Sequence, residues 1–264
     1  MRSIAFVFFI VIQFFQCLYA VEEQGISTCS NSQITQWKEI DVPPLKFEAL
    51  SMLNLTGCRW EVKNENDSLI VKELIHPKSS ELMKPSFIVS FTPNMFSERI
   101  ITYDIDTGWI VARDQGEFDG ETKWYSKEGK DNRSLINAPF IWLKKFNDAY
   151  VALTDNPYGG SFGVLYQDAV YFDQIVKFDA HPVAAIQNSA NEFYVLTFRG
   201  LYFVDIESRE KKLINSGKWT QLNPNSITID SKGDLYIGLI GYLVRITISD
   251  DGVVHEAWLK ELDG

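Results

Sequence analysis

Cysteine and histidine are scarce, with three of each in 264 residues. Zinc sites gather four Cys or His ligands, in closely spaced pairs. Here Cys29, Cys58, His76, His181 and His255 stand singly, so no metal site is expected. No Gly-x-Ser-x-Gly elbow occurs and no spacing assembles a His-Asp-Ser triad, so no catalytic residue is assigned. Positive charge is short as well: 25 Lys and Arg face 35 Asp and Glu, a net charge of −10. An acidic surface repels phosphate backbones, which argues against a nucleic-acid partner. The one dense basic cluster, Arg209, Lys211 and Lys212, is broken by Glu210 and reads as a hairpin tip.

Long apolar runs are missing after the first twenty residues. Those begin with Arg2, continue through the apolar run Ile4 to Phe15 and end in Leu18-Tyr19-Ala20. A positive start, a short apolar run and a small-residue end are the parts of a secretory signal peptide, assigned to residues 1–20. The run falls short of the roughly 18–20 residues that cross a bilayer. A secreted or periplasmic chain, residues 21–264, without a membrane span is therefore expected. Cys17 leaves with the signal. Cys29 and Cys58 then form an even pair, which in an exported protein reads as a disulfide. It would contribute about 3 kcal/mol; two buried thiols are the alternative. Asn54, Asn66 and Asn132 each start an Asn-x-Ser/Thr triplet, an acceptor for glycosylation if the source is eukaryotic.

What is present is alternation. Ser226 to Asp230 alternates polar and apolar, Ser231 to Asp234 carries a turn with Gly233, and Leu235, Ile237 and Leu239 mark a second strand. Tyr242 to Ile248 reads as a third strand and Val253 to Leu259 as a fourth. The pattern recurs upstream: Ala184 to Gln187, Glu192 to Phe198 and Leu201 to Ile206 match the first three strands. Tyr194 lies 42 residues before Tyr236, and Tyr150 lies 44 before Tyr194. Asp148 to Leu153 then starts a further unit, with Ala169 to Phe178 as its third strand. An earlier unit takes in Ser86 to Ser90, Arg99 to Ile105 and Trp109 to Ala112. Four-stranded units at about 40–45 residues predict an all-β, β-propeller-like fold with five or six antiparallel blades. A β-sandwich is the alternative. Residues 21–80 are irregular. Residues 114–134 are the most polar stretch and read as an exposed excursion or extended hairpin.

The stretch Asn223-Pro-Asn-Ser-Ile-Thr-Ile-Asp-Ser-Lys-Gly-Asp-Leu-Tyr-Ile237 resembles the inner-strand signature of NHL-repeat and gluconolactonase (senescence-marker) propellers. The resemblance covers residues 182–260. It implies a propeller blade and does not fix an activity, because propellers host unrelated functions. Gluconolactonase-like enzymes hold a divalent metal in the central channel. Their Pro-Asp-Gly aspartate falls here on Asn225, and the place where they want an asparagine falls on Val183. One amide oxygen and one apolar residue make a poor cage for a hard cation.

The site candidates are loops. Asp155-Asn-Pro-Tyr-Gly-Gly-Ser-Phe-Gly163 has paired glycines but no following Lys-Ser/Thr, so a phosphate cradle is not expected. It reads as a wide hairpin whose Asp155, Asn156 and Tyr158 are binding candidates. Trp124 and Tyr125, inside the polar excursion, are candidates for stacking on a sugar or anchoring a protein. His181 precedes a proline in a turn at a channel mouth, with Asp179 two residues before it. Asp114 to Glu121 holds four carboxylates in eight residues but does not match the EF-hand spacing. Together these predict a binding protein without a cofactor, with another protein as partner. A channel-metal hydrolase or lactonase and a carbohydrate-binding module are the alternatives.

Overall fold

The computed structural model describes residues 31–43, 57–74, 85–87, 99–114, 120–156, 158–166 and 171–262. The signal segment, Cys29 and Asn54 lie outside these residues. Two strands come from the N-terminal part, β1 (Ser32–Gln33) and β2 (Trp37–Ile40). The rest follow as β3 (Trp60–Glu65) and β4 (Ser68–Glu73), then β5 (Arg99–Ile105), β6 (Gly108–Asp114), β7 (Gly120–Tyr125) and β8 (Asn132–Ile136). Next come β9 (Phe140–Phe146), β10 (Ala149–Asn156), β11 (Gly159–Tyr166) and β12 (Tyr171–Phe178). The chain continues through β13 (Pro182–Gln187), β14 (Glu192–Thr197), β15 (Gly200–Asp205) and β16 (Glu210–Asn215). It ends with β17 (Ser226–Ile229), β18 (Leu235–Gly238), β19 (Leu243–Ile248) and β20 (Val254–Glu261).

These strands pair into five antiparallel sheets, the blades of a β-propeller. Blade 1 is β3-β4 with β1 added. Blades 2, 3 and 4 are the up-and-down sheets β5–β8, β9–β12 and β13–β16, and blade 5 is β17–β20 with β2 as a fifth strand. The first strands meet near the axis: β13 lies against β9 and β17, β17 against β3, and β5 against β9. Turn chemistry follows the sequence. Asp230 Oδ1 accepts from the backbone N–H of Lys232 at 2.8 Å and of Asp234 at 2.9 Å, and Gly233 takes φ +88°. No helix among the described residues is long and apolar enough to cross a membrane.

Apolar side chains fill the wedges between blades. Phe193 on β14 meets Phe162 on β11 at 5.1 Å and Phe146 on β9 at 5.5 Å, tying blade 4 to blade 3. Full burial of such a ring contributes about 1.5–3 kcal/mol. Ile110, Ala112, Phe140, Ala152 and Leu165 fill the space between blades 2 and 3, and Leu196, Leu201, Trp219, Leu235 and Ile237 that between blades 4 and 5. The N-terminal strands bridge the last and first blades. Trp37 packs edge-on against Trp60 at 5.4 Å, and its indole N–H donates to Ser32 Oγ at 2.9 Å.

Of the two readings of residues 114–134, the extended hairpin holds for the described part: β7 pairs antiparallel with β8, and Thr122 and Tyr125 bury their side chains. Two expectations change. The third strand of blade 3 is β11, so the segment ending at Phe178 is the fourth strand. Residues 155–163 form a tight hairpin, not a wide one; β11 starts at Gly159 and pairs with β10 from Asn156 back to Ala149. Glycine misled there. Gly160 sits where an added Cβ would lie 2.3 Å from Pro182 Cδ, so it serves close packing inside a strand.

Candidate functional site

In an up-and-down blade the link between the second and third strands and the link to the next blade emerge at the same end. For blade 3 these are the β10–β11 turn and residues 179–181. Asp155, Asn156, Tyr158 and His181 therefore share one face. Asp155 Oδ1 lies 2.7 Å from His181 Nδ1 and also accepts from the backbone N–H of Asn156 at 2.9 Å. Asn156 Oδ1 in turn accepts from the backbone N–H of Tyr158 at 2.9 Å, which closes the turn. Tyr158 stands 92 % exposed at its tip. Burial pushes the Asp155 carboxyl above its ordinary value, and the hydrogen bond and charge attraction of His181 work against that shift. The His181 ring also stands edge-on to Phe198 at 6.3 Å. Asp179 is not the partner of His181; it faces Arg199 at 3.6 Å, with both side chains well exposed.

Beside this turn a cleft of about 450 Å³ opens between blades 2 and 3. Asn137 lines it from blade 2, and Asn156, Tyr158, Gln174 and Lys177 line it from blade 3. Its deeper wall carries the buried hydroxyls of Thr154 and Ser161, cross-strand partners 2.7 Å apart. Lys177, Gln174 and Asn137 were not singled out in the sequence. Nothing in their local composition marks them, since a β-bulge brings the first two together.

The aromatic pair Trp124-Tyr125 does not form an exposed patch. Neighbours on a strand point to opposite sides: Tyr125 is buried against Phe87 at 5.4 Å, and Trp124 is half-buried over Gly108, its indole N–H shielded from water. Glu121 lies 2.9 Å from Lys123 and 3.7 Å from Arg113, and residues 115–119 of the acidic stretch fall outside the described residues. Cys58 is disulfide-bonded. Asn66, in the β3–β4 turn at φ +54°, and Asn132, at the start of β8, are both exposed.

The inner strands β3, β9, β13 and β17 line a second cavity, of about 350 Å³, on the blade axis. Val183 and Asn225 both reach it, as do Glu61 and Lys63. The donor set does not fit a divalent cation. Glu61 is paired with Lys63 at 3.0 Å, Val183 offers no oxygen, and both polar atoms of the Asn225 side chain are sealed from water. Among the described residues no three His, Cys, Asp or Glu gather as a metal cluster.

No family model matches the chain, and no curated protein sequence does. Solved structures resemble it distantly. Virginiamycin B lyase from Staphylococcus aureus gives a TM-score of 0.44 at 11 % identity, over 86 % of this chain and 88 % of that one. An auxiliary nutrient binding protein from Bacteroides thetaiotaomicron gives 0.38 at 11 %, over 59 % of this chain and 40 % of that one. The extracellular domain of a hybrid two-component system from B. thetaiotaomicron gives 0.42 at 11 %, over 77 % and 30 %. The chain thus spans less than half the length of both Bacteroides proteins. At such scores the propeller assignment stands on the chain's own strand order.

Proposed function

We propose that the protein is an exported, non-enzymatic binding protein whose partner is another protein, docked on the face that carries Asp155, Asn156, Tyr158 and His181. The observation that carries this reading is Tyr158: a large ring, 92 % exposed, on a turn already fixed by the Asn156 side chain. Tyrosine anchors interfaces with few rotors to immobilise, and a pre-formed turn lowers the ordering cost of binding. The cleft at its foot offers room for a partner side chain. Support for export comes from the signal-type residues 1–20 and from the disulfide-bonded Cys58, whose expected partner is Cys29, since such a bond belongs to an oxidising compartment.

A photo-crosslinking amino acid at position 158, with a control at exposed Tyr171 at the opposite end of blade 3, tests the reading in the native extracellular fluid. A discrete protein adduct from 158 and none from 171 is expected. Equal adducts from both positions, or none from 158, would overturn it.

A further inference from the structure

Blade 3 changes chemistry at one level of its height. Toward blade 2 its lower part is apolar and buried, through Tyr150 and Ala152 on β10, Leu165 on β11 and Phe172 on β12. Nearer the loop face the same three strands present Thr154, Ser161, Gln174 and Lys177 to the cleft. Gln174 and Lys177 are three residues apart, so plain alternation would place them on opposite sides. The register moves from Gly163↔Gln174 to Phe162↔Val176, which leaves Ile175 unpaired and turns both polar residues to one side. Bulges re-aim side chains in this way at functional sites.

Thr154 and Ser161 satisfy each other. The remaining polar groups do not. Among the described residues the Lys177 ammonium, the Asn156 side-chain NH₂ and the carboxamides of Asn137 and Gln174 have no hydrogen-bonding partner, and no Asp or Glu lines the cleft. The inventory is rich in donors and carries a single positive charge.

We propose that the cleft between blades 2 and 3 is a carboxylate-recognition site that receives an acidic side chain of the docked protein. One ammonium balances one negative charge, and amide NH₂ groups supply the hydrogen bonds a carboxylate oxygen accepts. A phosphate dianion calls for more charge and is best held by a free arginine fork. The nearby Arg209 has its fork closed on Asp173, at 2.8 and 3.0 Å. A volume of about 450 Å³ admits one side chain with its flanking backbone. This assignment rests on the binding-face reading above.

The test titrates the full chain with N-acetyl-glutamate methylamide, its glutamine counterpart, glucuronate and inorganic phosphate, following the side-chain amide NMR signals of Asn137, Asn156 and Gln174. The glutamate probe is expected to shift all three, with the glutamine probe and Lys177→Met each weakening binding about tenfold, as loss of a charge-assisted contact would. Lys177 is exposed, so the variant is expected to melt with the parent. Equal binding of the glutamine probe, no effect of Lys177→Met, or tighter binding of phosphate would overturn the proposal. Tighter binding of glucuronate would overturn it in favour of an acidic sugar. Crosslinks at 158 with a silent glutamate probe would sink the carboxylate site alone; the reverse result would support it and sink the protein partner.

Discussion

His181 Nδ1 and Asp155 Oδ1, 2.7 Å apart, join the segment that begins blade 4 to the second strand of blade 3. The bond turns Nδ1 inward and leaves Nε2 as the ring nitrogen available to a partner. It also opposes, without cancelling, the effect of burial on the Asp155 carboxyl.

Burial raises the Asp155 carboxyl above its ordinary 3.8 despite His181. The folded state then holds this proton to higher pH than the unfolded chain. Stability therefore falls as pH rises from the unfolded value through the raised folded one, and ionised Asp155 is a net cost. Asp155→Asn keeps an oxygen for the imidazole N–H and removes that cost. Urea unfolding at about pH 3.5 and 5.5 is expected to show the variant gaining on the parent at the higher pH; a constant gap would contradict this.

Arg209 clamps blade 4 to blade 3 from a left-handed backbone, φ +59°, with its fork on Asp173 and a further bond to Gln174 O at 2.8 Å. The Arg209 hydrogen bond holds the Asp173 carboxyl below its ordinary value. Its stabilisation is fully present above the unfolded carboxylate value and is lost as pH falls through the folded one. About half of the Arg209 side chain is exposed, so solvent screening keeps the contribution of the pair small. Arg209→Ala and Arg209→Gly both lose the clamp. Glycine accepts the positive φ, so the Ala variant is expected to be about 1 kcal/mol less stable than the Gly variant in denaturant titration.

Trp37 and Ser32 belong to the N-terminal segment that links blade 5 to blade 1. Trp37→Ala should lose about 3–5 kcal/mol by emptying a buried site. Ser32→Ala leaves the indole N–H without its acceptor and should cost about 1–3 kcal/mol. Chemical denaturation checks both; indifference to either change would mean the segment is not part of the cooperative unit.

Two glycines of blade 5 separate steric need from backbone need. An added Cβ at Gly238 would lie 1.9 Å from Trp60 O, where blade 5 meets blade 1. At Gly233 it would meet nothing within 4 Å, although φ is +88°. Gly233→Ala should cost about 1 kcal/mol. Gly238→Ala must push strand β18 off β3, and expression as insoluble protein or a loss beyond about 3 kcal/mol is expected. Thermal melts of the soluble fractions rank the two.

Blades 4 and 5 were legible because their half-buried strands alternate and their turns carry Asp and Gly at the positions the turn needs, as at Asp230 and Gly233. Blade 2 was obscured. Its β7, Gly-Glu-Thr-Lys-Trp-Tyr, buries Thr122 and Tyr125 behind a polar composition, and composition alone reads as loop. The Gly-Gly pair at 159–160 hid β11 for the opposite reason, since packing against Phe178 and Pro182 asks for residues without a side chain. Asp155, Asn156, Tyr158 and His181 could be named from sequence, but their meeting could not. It follows from two connections leaving the same end of a sheet. Lys177 and Gln174 depend on a bulge at Ile175, which no local pattern announces.

Strand β2 completes the sheet that ends with β20, pairing Trp37 with Glu261 and Ile40 with Trp258. A ribosome delivers the first of these partners about two hundred residues before the second, so this pairing is among the longest-range contacts the chain makes and should form late and slowly. Vectorial folding from the N-terminus leaves four blades assembled beside a waiting strand. Until β20 is made the chain thus carries an unmatched backbone edge, and that interval is when it most needs a chaperone.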